Sequence, residues 1–169
     1  LKKIIKRNNQ VRGIKTNLGK IKCEYIVLCA GMWSRQIGEA AGVSVPLYPN
    51  EHFYMITEEY KKLPKNLPTF RDPDTYLYIR EYHKKLMIGI FEPNAKNAFK
   101  KNGKVPDNFS FGEFQVNQDY VKMLHKLASK RIPEINNLNI EKYFSGPESF
   151  TPDTNYLLGE TAEINNFFV

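Results

Sequence analysis

Residues 25–34 constrain the fold of this chain more than any other stretch. Six apolar residues, 25–30, run up to Gly31, and such a run predicts a strand that is buried on both faces. Ser34 then suits the N-cap of a helix. A buried strand that brings a residue without a side chain to the start of a helix is typical of α/β folds, where a cofactor can approach the backbone. The alternative at Ala30-Gly31 is a plain corner between strand and helix.

The length and composition predict a globular protein. With 169 residues, 41% of them hydrophobic, the chain can bury one core or two small ones. No apolar run reaches about 18 residues, the length that spans a membrane, so we expect no membrane span. The chain begins at Leu1 without an initiator Met and ends in the apolar triplet 167–169, which leads us to expect a fragment cut at both ends.

The positive charge is spread too widely to indicate nucleic-acid binding. The formal net charge is +7, but the lysines occur singly or in pairs, and the densest patch, residues 93–104, is interpreted as a solvated loop. A basic binding module is therefore an alternative that rests on net charge alone. Cys23 and Cys29 form neither a disulfide framework nor a metal-ligand pattern, which favours a reducing compartment and no metal site.

The order of apolar and polar residues predicts an α+β protein. An antiparallel meander is expected over residues 1–24, and Gly42 suits the end of the helix that begins near residue 34. The prolines within 45–49 predict a crossing between domains. The remaining expected elements are strands at 51–57, 75–82, 86–91 and 138–145, a surface loop at 92–116, a helix at 117–131, a rigid loop at 146–153, and strands at 156–159 and 167–169.

A chemically rich face is predicted for the sheet in the second half of the chain. Because side chains alternate along a strand, His52 and Tyr54 share a face, as do Tyr76, Tyr78 and Arg80 on a later strand. Imidazole, phenol and guanidinium groups could form a pocket wall that binds a small anion and relays protons. The alternatives are an ordinary exposed sheet face and, for the histidine, a purely structural role.

A series of short motifs runs along almost the whole chain. In order they are Val11-x-Gly13-Ile14-x-Thr16-x-x-Gly19-x-Ile21, Ile26-Val27-Leu28-Cys29-Ala30-Gly31-Met32-Trp33-Ser34, Pro46-Leu47, Glu51-His52-Phe53-Tyr54-Met55-Ile56-Thr57-Glu58, Arg71-Asp72-Pro73-Asp74-x-Tyr76-x-Tyr78-x-Arg80-Glu81, Gly89-x-Phe91-Glu92-Pro93-x-Ala95-Lys96 and Gly146-Pro147-Glu148-Ser149-Phe150-Thr151-Pro152-Asp153-x-Asn155-x-x-Leu158-Gly159-Glu160. This set resembles the FAD-dependent oxidoreductases of the D-amino-acid oxidase superfamily, and within it the dimethylglycine and sarcosine dehydrogenases.

The resemblance implies a domain organisation and a set of site residues. It implies an antiparallel-sheet substrate domain at 45–150 and an incomplete α/β FAD-binding domain formed by 1–44 and 151–169. From its sequence position alone, Trp33 is expected to be buried without a function. The site residues implied by the family are Ala30, Gly31 and Trp33 for FAD binding, His52 and Tyr78 for catalysis, and Arg80 for either substrate-carboxylate binding or structural support. Tyr54 is predicted to bind substrate from its place on the chemically rich face.

The implied activity is oxidation of N-methylated glycines or related secondary or tertiary amines by hydride transfer to FAD. A non-catalytic relative, similar to the pyruvate dehydrogenase phosphatase regulatory subunit, is the alternative. The family's glycine-rich nucleotide fingerprint, covalent-flavin histidine, later flavin loop and C-terminal tetrahydrofolate-binding portion would lie outside residues 1–169. We therefore expect this chain alone to bind FAD weakly or not at all. The expected compartment is the cytoplasm, or the mitochondrial matrix of a eukaryote.

Overall fold

The computed structural model describes residues 1–91, 93–100 and 102–169. Glu92, which belongs to one of the sequence motifs, and Lys101, which belongs to the basic patch, lie outside the described residues. The chain forms two compact units, which are defined by packing alone, so the assignment of an FAD-binding and a substrate domain stays a prediction. The first unit comprises Leu1–Asn50, Phe99–Phe109 and Glu148–Val169, and the second comprises Glu51–Ala98 and Ser110–Pro147.

The N-terminal meander of the first unit is confirmed. Its antiparallel strands, in spatial order, are β1 (Lys3–Arg7), β2 (Gln10–Thr16) and β3 (Gly19–Lys22). Asn8 and Asn9 make the first turn with φ angles of 51° and 54°, left-handed values that asparagine tolerates. The buried core of this unit consists of Ile4, Val11, Ala41, Val43, Val45, Ile164 and Phe167.

The strand predicted at 25–30 is much shorter and more exposed than expected. Only β4 (Ile26–Val27) is a strand, and it pairs in parallel with β10 (Phe167–Phe168). Val27 is 67% exposed, whereas Ile26 packs against the core. The prediction of burial on both faces is wrong because, among the described residues, this strand has a single neighbouring strand and only its alternate side chains face the core.

The helix after Gly31 begins through a tighter turn than predicted. A 3-10 turn at Gly31–Trp33 leads into α1 (Ser34–Ala41), so Trp33 is the N-cap and Ser34 is the first helical residue. The prediction of Ser34 as N-cap is therefore wrong. Its hydroxyl instead accepts a hydrogen bond of 3.2 Å from the backbone N–H of Ala30, which fastens the corner to the helix. Gly42 ends the helix with a φ of 84°, as predicted.

The second unit is built on a five-stranded sheet. Its spatial order is β6-β7-β8-β5-β9, with β5 (Tyr48–Thr57), β6 (Phe70–Asp72), β7 (Leu77–Tyr82), β8 (Lys85–Ile90) and β9 (Ile140–Phe150). β5 and β9 continue into the first unit along the chain. The predicted hairpin between β7 and β8 is confirmed, and His83 and Lys84 form its turn with φ angles of 50° and 61°.

A long helix covers one face of this sheet. α2 (Gln118–Arg131) is confirmed, and the side chain of Asn117 caps it by accepting a hydrogen bond from the N–H of Asp119 at 2.9 Å. The apolar core between helix and sheet consists of Phe53, Met55, Leu77, Ile79, Leu86, Ile88, Ile90, Val121, Leu124, Ala128 and Ile135. The opposite face of the sheet carries the predicted polar and aromatic side chains. No helix in the described ranges is long and apolar enough to cross a membrane.

Three expectations in the second half of the chain are wrong. Tyr76 has a φ of 59° and lies in the turn before β7, because Thr75 donates a hydrogen bond of 2.7 Å to the side chain of Asp72 and the chain is still turning there. β9 continues to Phe150 through the predicted loop at 146–153, since it is an edge strand and an edge tolerates Pro147. Residues 156–159 form no strand.

Candidate active site

A row of side chains crosses the open face of the sheet in the second unit. The strand register places Arg71 beside Tyr78, Tyr78 beside Gly89, and Gly89 beside Tyr54. Residues paired in this way project to the same face of a sheet. Phe144 extends the row, since its ring stacks on that of Tyr54 at a centroid distance of 4.7 Å.

The two residues predicted to be catalytic meet next to this row. Nε2 of His52 and the hydroxyl oxygen of Tyr78 are 3.0 Å apart and share a hydrogen bond. The imidazole also stacks on the Phe91 ring at 4.6 Å, and Phe91 lies 5.2 Å from the Tyr78 ring. His52 is 7% exposed. Imidazole and phenol are thus held in one aromatic cluster, in which His52 is buried and Tyr78 and Phe91 are half-buried.

Burial determines the charge of His52. Loss of hydration disfavours the imidazolium and lowers the pKa of His52 from its ordinary value of 6.5 to about 4. The ring is therefore neutral at physiological pH. A neutral imidazole has one donor and one acceptor nitrogen, so Nε2 can either accept the Tyr78 proton or donate to the phenol oxygen. This arrangement can position a polar group and exchange a proton with it.

Gly89 creates the space in which Tyr78 lies. A Cβ atom built on Gly89 would overlap Cζ and the hydroxyl oxygen of Tyr78. The phenol ring therefore lies across the bare backbone of β8, which brings its hydroxyl within reach of His52. Gly89 stands in one of the sequence motifs, but its role went unrecognised, because the pairing of β8 with β7 and β5 cannot be assigned from one strand alone.

The two arginines of this face occupy different positions. Cζ of Arg80 lies 5.5 Å from the Tyr82 ring, in the next row of the sheet, where Arg80 pairs with Met87. Cζ of Arg71 lies 5.2 Å from the centroid of Phe91, the ring that stacks on His52. Arg71 occurred in the sequence motifs without an assigned role. The structure brings it, rather than Arg80, to the aromatic cluster.

The corner at Ala30-Gly31 belongs to the first unit. Gly31 is exposed, has a φ of 53°, and has no heavy atom within 4 Å of the position a Cβ would take. Trp33 is half-buried and its ring lies 6.4 Å from that of Phe109. Open backbone beside an aromatic ring fits the approach of a flat, hydrogen-bonding group such as a flavin. The sequence 1–169 contains no G-x-G-x-x-G phosphate loop.

Metal ligands are not clustered in the described part of the chain. No group of three or more histidine, cysteine, aspartate or glutamate side chains there has a geometry that could hold a metal ion.

Known proteins resemble this chain over nearly its entire length. A family model described as FAD dependent oxidoreductase matches residues 1–169. The chain is 33% identical to 4-methylaminobutanoate oxidase (formaldehyde-forming) of Paenarthrobacter nicotinovorans over 99% of its length, and 36% identical to mitochondrial sarcosine dehydrogenase of Homo sapiens over 95%. It is also 33% identical to the mitochondrial pyruvate dehydrogenase phosphatase regulatory subunit of Mus musculus over 98%.

Solved structures confirm the fold class. L-proline dehydrogenase from P. horikoshii superposes with a TM-score of 0.77 and 23% identity, covering 99% of this chain and 42% of that one. Glycine oxidase from Geobacillus kaustophilus gives a TM-score of 0.69 and 22% identity, covering 99% of this chain and 40% of that one.

The match is to one part of longer proteins. The chain spans 20%, 19% and 17% of the oxidase, the regulatory subunit and the sarcosine dehydrogenase, about a fifth of each. The family model nevertheless covers every residue of it. The chain therefore belongs to the DAO family of FAD-dependent oxidoreductases.

Proposed function

We propose that the protein containing this chain uses FAD to oxidise an N-methylated glycine or a related secondary or tertiary amine. The observation that carries the proposal is the hydrogen bond between the buried His52 and the half-buried Tyr78, on the same sheet face as Tyr54. Two of the relatives, sarcosine dehydrogenase and 4-methylaminobutanoate oxidase, are named for N-methylated amino acids, which supports the substrate class.

The chemistry makes one demand on the site, namely that the amine nitrogen be unprotonated when its neighbouring carbon is oxidised. FAD, when bound, accepts the hydride from that carbon and leaves the substrate as an imine or iminium ion. In the proposal His52, neutral because of its low pKa, and Tyr78 form a hydrogen-bonded pair that orients the amine and exchanges a proton with it. Phe91 keeps water away from one side of the pair.

Contacts to the flavin are assigned to the first unit. In the proposal the exposed backbone of Ala30 and Gly31 and the ring of Trp33 hold one side of the cofactor, because this corner is open and conformationally suited to close approach. A tetrahydrofolate-binding portion and residence in the cytoplasm or mitochondrial matrix stay predictions.

The second candidate is a regulatory protein without turnover. It is favoured by one observation, the 33% identity to the pyruvate dehydrogenase phosphatase regulatory subunit, which is as high as the identity to the bacterial oxidase. The His52–Tyr78 hydrogen bond is compatible with both candidates, since a binding protein can use the same contacts to hold an amine.

An anaerobic titration separates the two candidates. The complete protein loaded with FAD is mixed with sarcosine, dimethylglycine and 4-methylaminobutanoate in turn, and the flavin absorbance at about 450 nm is followed. Glycine betaine is the control, because its nitrogen has no free electron pair. Bleaching by at least one of the three amines, and none by betaine, supports the oxidoreductase. An unchanged spectrum with all three supports the regulatory protein.

A further inference from the structure

We propose that the outer face of the β1–β3 meander docks on an anionic lipid bilayer, with the tip of the β2–β3 hairpin entering the headgroup region. The docking surface, called the lysine face, consists of Lys3, Lys15, Lys20 and Lys22. It lies wholly in the first unit. The proposal therefore does not depend on the proposed amine chemistry of the second unit.

The net positive charge of the chain is concentrated in this meander. Residues 1–23 contain eight lysines and arginines and no aspartate or glutamate. This exceeds the formal net charge of +7 of all 169 residues, so the remainder of the chain is close to neutral. Along the sequence these cations stand singly or in pairs. A segment with such a one-sided charge attracts polyanions.

The strand register gathers four of the cations on one face. Lys3 pairs with Lys15 across β1 and β2, and Lys15 pairs with Lys20 across β2 and β3. Directly paired residues project to the same face of a sheet, so these three side chains form a row. Lys22 follows Lys20 by two residues on β3 and projects to the same side. The fold thus assembles a positively charged surface from residues that are separated in the sequence.

The lysine face points away from the core of the first unit. The next row of the same strands is Ile4, Ile14 and Ile21, and the first two of these residues pack against the core. Since neighbouring residues of a strand project to opposite faces, the lysines lie on the solvent side, and all four are exposed.

No acidic side chain neutralises the lysine face. Within residues 1–91, 93–100 and 102–169, none of its four lysines forms an ion pair. Like charges directly opposite each other destabilise a sheet. The row of Lys3, Lys15 and Lys20 therefore repels itself, and an anionic surface would remove this repulsion.

The hairpin tip beside the lysine face presents an exposed leucine. Leu18 is 93% exposed, and the pair Thr16 and Gly19 separates it from the pair Lys15 and Lys20. The Thr16 hydroxyl accepts a hydrogen bond of 3.1 Å from the Leu18 N–H and donates one of 3.1 Å to the Gly19 carbonyl, which fastens the turn. At this exposure the leucine contributes little to packing. A leucine held next to lysines can enter the apolar edge of a bilayer while the ammonium groups stay among the headgroups.

The composition of the meander favours a lipid surface over an acidic protein or a nucleic acid. Protein interfaces are depleted in lysine, and nucleic acids are bound by arginine and by aromatic rings that stack on bases. Strands β1–β3 contain no aromatic residue, and the row of Lys3, Lys15 and Lys20 contains no arginine. Flexible ammonium groups suit the diffuse charge of a fluid bilayer, where each is worth about fivefold in affinity.

Sedimentation with vesicles tests the role of charge. The complete protein is mixed with phosphatidylcholine vesicles that contain either no anionic lipid or about 30% phosphatidylglycerol. We expect binding to the anionic vesicles alone, and its loss as NaCl rises from about 50 mM to about 500 mM, because salt screens the attraction. In the double variant Lys15→Gln/Lys20→Gln the partition coefficient should fall at least about tenfold.

Two matched variants control for other effects of the substitutions. Lys15→Arg/Lys20→Arg keeps the charge and should bind the anionic vesicles as the wild type does. Lys126→Gln/Lys130→Gln removes the same charge from exposed positions of α2 and should also bind as the wild type does. Because repulsion within the row is relieved, Lys15→Gln/Lys20→Gln should have a Tm at least as high as that of the wild type.

Insertion of the hairpin tip has its own readout. Leu18→Ser should lower the partition coefficient at least about fivefold, because apolar burial is lost, and should leave the salt dependence unchanged. Leu18→Trp should add fluorescence, relative to the wild type, that anionic vesicles with brominated acyl chains quench.

Three results would overturn the proposal. The first is equal binding to the neutral vesicles, and the second is an unchanged partition coefficient in Lys15→Gln/Lys20→Gln. The third is retention of polyglutamate or of a DNA duplex by the wild type without binding to anionic vesicles, which would assign the lysine face to an acidic macromolecule instead.

Discussion

At the scale of single residues, the position of Tyr78 depends on Gly89, which lies between Tyr54 and Tyr78 in the strand register. A methyl group at Gly89 would overlap the phenol ring. We expect Gly89→Ala to push Tyr78 off His52, to slow flavin reduction at least about tenfold, and to destabilise the fold by about 1–3 kcal/mol through overpacking.

A double-mutant cycle separates this clash from a general effect on the strand. In a Tyr78→Ala background the added methyl group has no ring to displace, so Gly89→Ala should then cost less than about 0.5 kcal/mol of unfolding free energy in urea titrations. An equal loss of stability in both backgrounds would show that the glycine is needed by the backbone of β8 and not by Tyr78.

Burial of His52 predicts a pH dependence of stability. The unfolded chain binds the imidazole proton as the pH falls below about 6.5, whereas the folded protein binds it only near a pKa of about 4. The stability that the neutral His52 contributes is therefore fully present above pH 6.5 and is lost as the pH falls from 6.5 to about 4. At pH 5 the loss attributable to His52 should be about 2 kcal/mol. Urea unfolding should show that the free energy of unfolding falls between pH 7.5 and pH 5 by about this amount less in His52→Gln than in the wild type. An identical fall in both proteins would contradict the assigned pKa shift.

At the scale of secondary structure elements, α2 is joined to β6 by an ion pair between Arg131 and Asp72. Nε of Arg131 donates to Asp72 at 2.7 Å, and Asp72 is 6% exposed. The hydrogen bond from Thr75, followed by that from Arg131, lowers the pKa of Asp72. The stability that the ionised Asp72 contributes is therefore present above the ordinary carboxyl pKa, and it is lost as the pH falls through the lowered pKa of Asp72.

Removing the arginine should loosen the helix end and the short strand together. Arg131→Met leaves a buried carboxylate without its cation, so we expect a lower urea midpoint at pH 7 and a smaller difference from the wild type at pH 3. Lys130→Met is the matched control, since it removes a neighbouring cation from the same helix end. Lys130 has no ion pair within the described residues. An equal effect of both substitutions would indicate a general helix-dipole effect instead.

The sequence predicted best those elements whose signal is local. Alternation along β5 and β7 assigned His52, Tyr54 and Tyr78 to one face, and the helical spacing over 117–131 predicted α2. The position of Arg71 could not be predicted, because β6 has only three residues and its pairing with β7 depends on a turn that holds Tyr76 outside the strand. An apolar run such as 25–30 likewise does not reveal how many neighbouring strands it has, which is why burial of Val27 was predicted wrongly.

At the scale of the whole molecule, two units carry different parts of the proposed chemistry. In the proposal the second unit supplies the amine contacts, and the first supplies the exposed corner at Ala30-Gly31. The family assignment covers both, since its model extends over residues 1–169. The resemblance does not say which residues of the sheet face contact one another, whereas the distances and the strand register do.

The central claim is that His52 and Tyr78 act as one unit on an amine that FAD oxidises. It is tested most directly by the rate of anaerobic flavin reduction in the complete protein, measured by stopped-flow absorbance with saturating sarcosine or dimethylglycine. We predict that His52→Ala and Tyr78→Phe each slow reduction at least about tenfold. The double variant should be only slightly slower than the slower single one, because the two residues share one hydrogen bond. Wild-type rates in both single variants would contradict the claim.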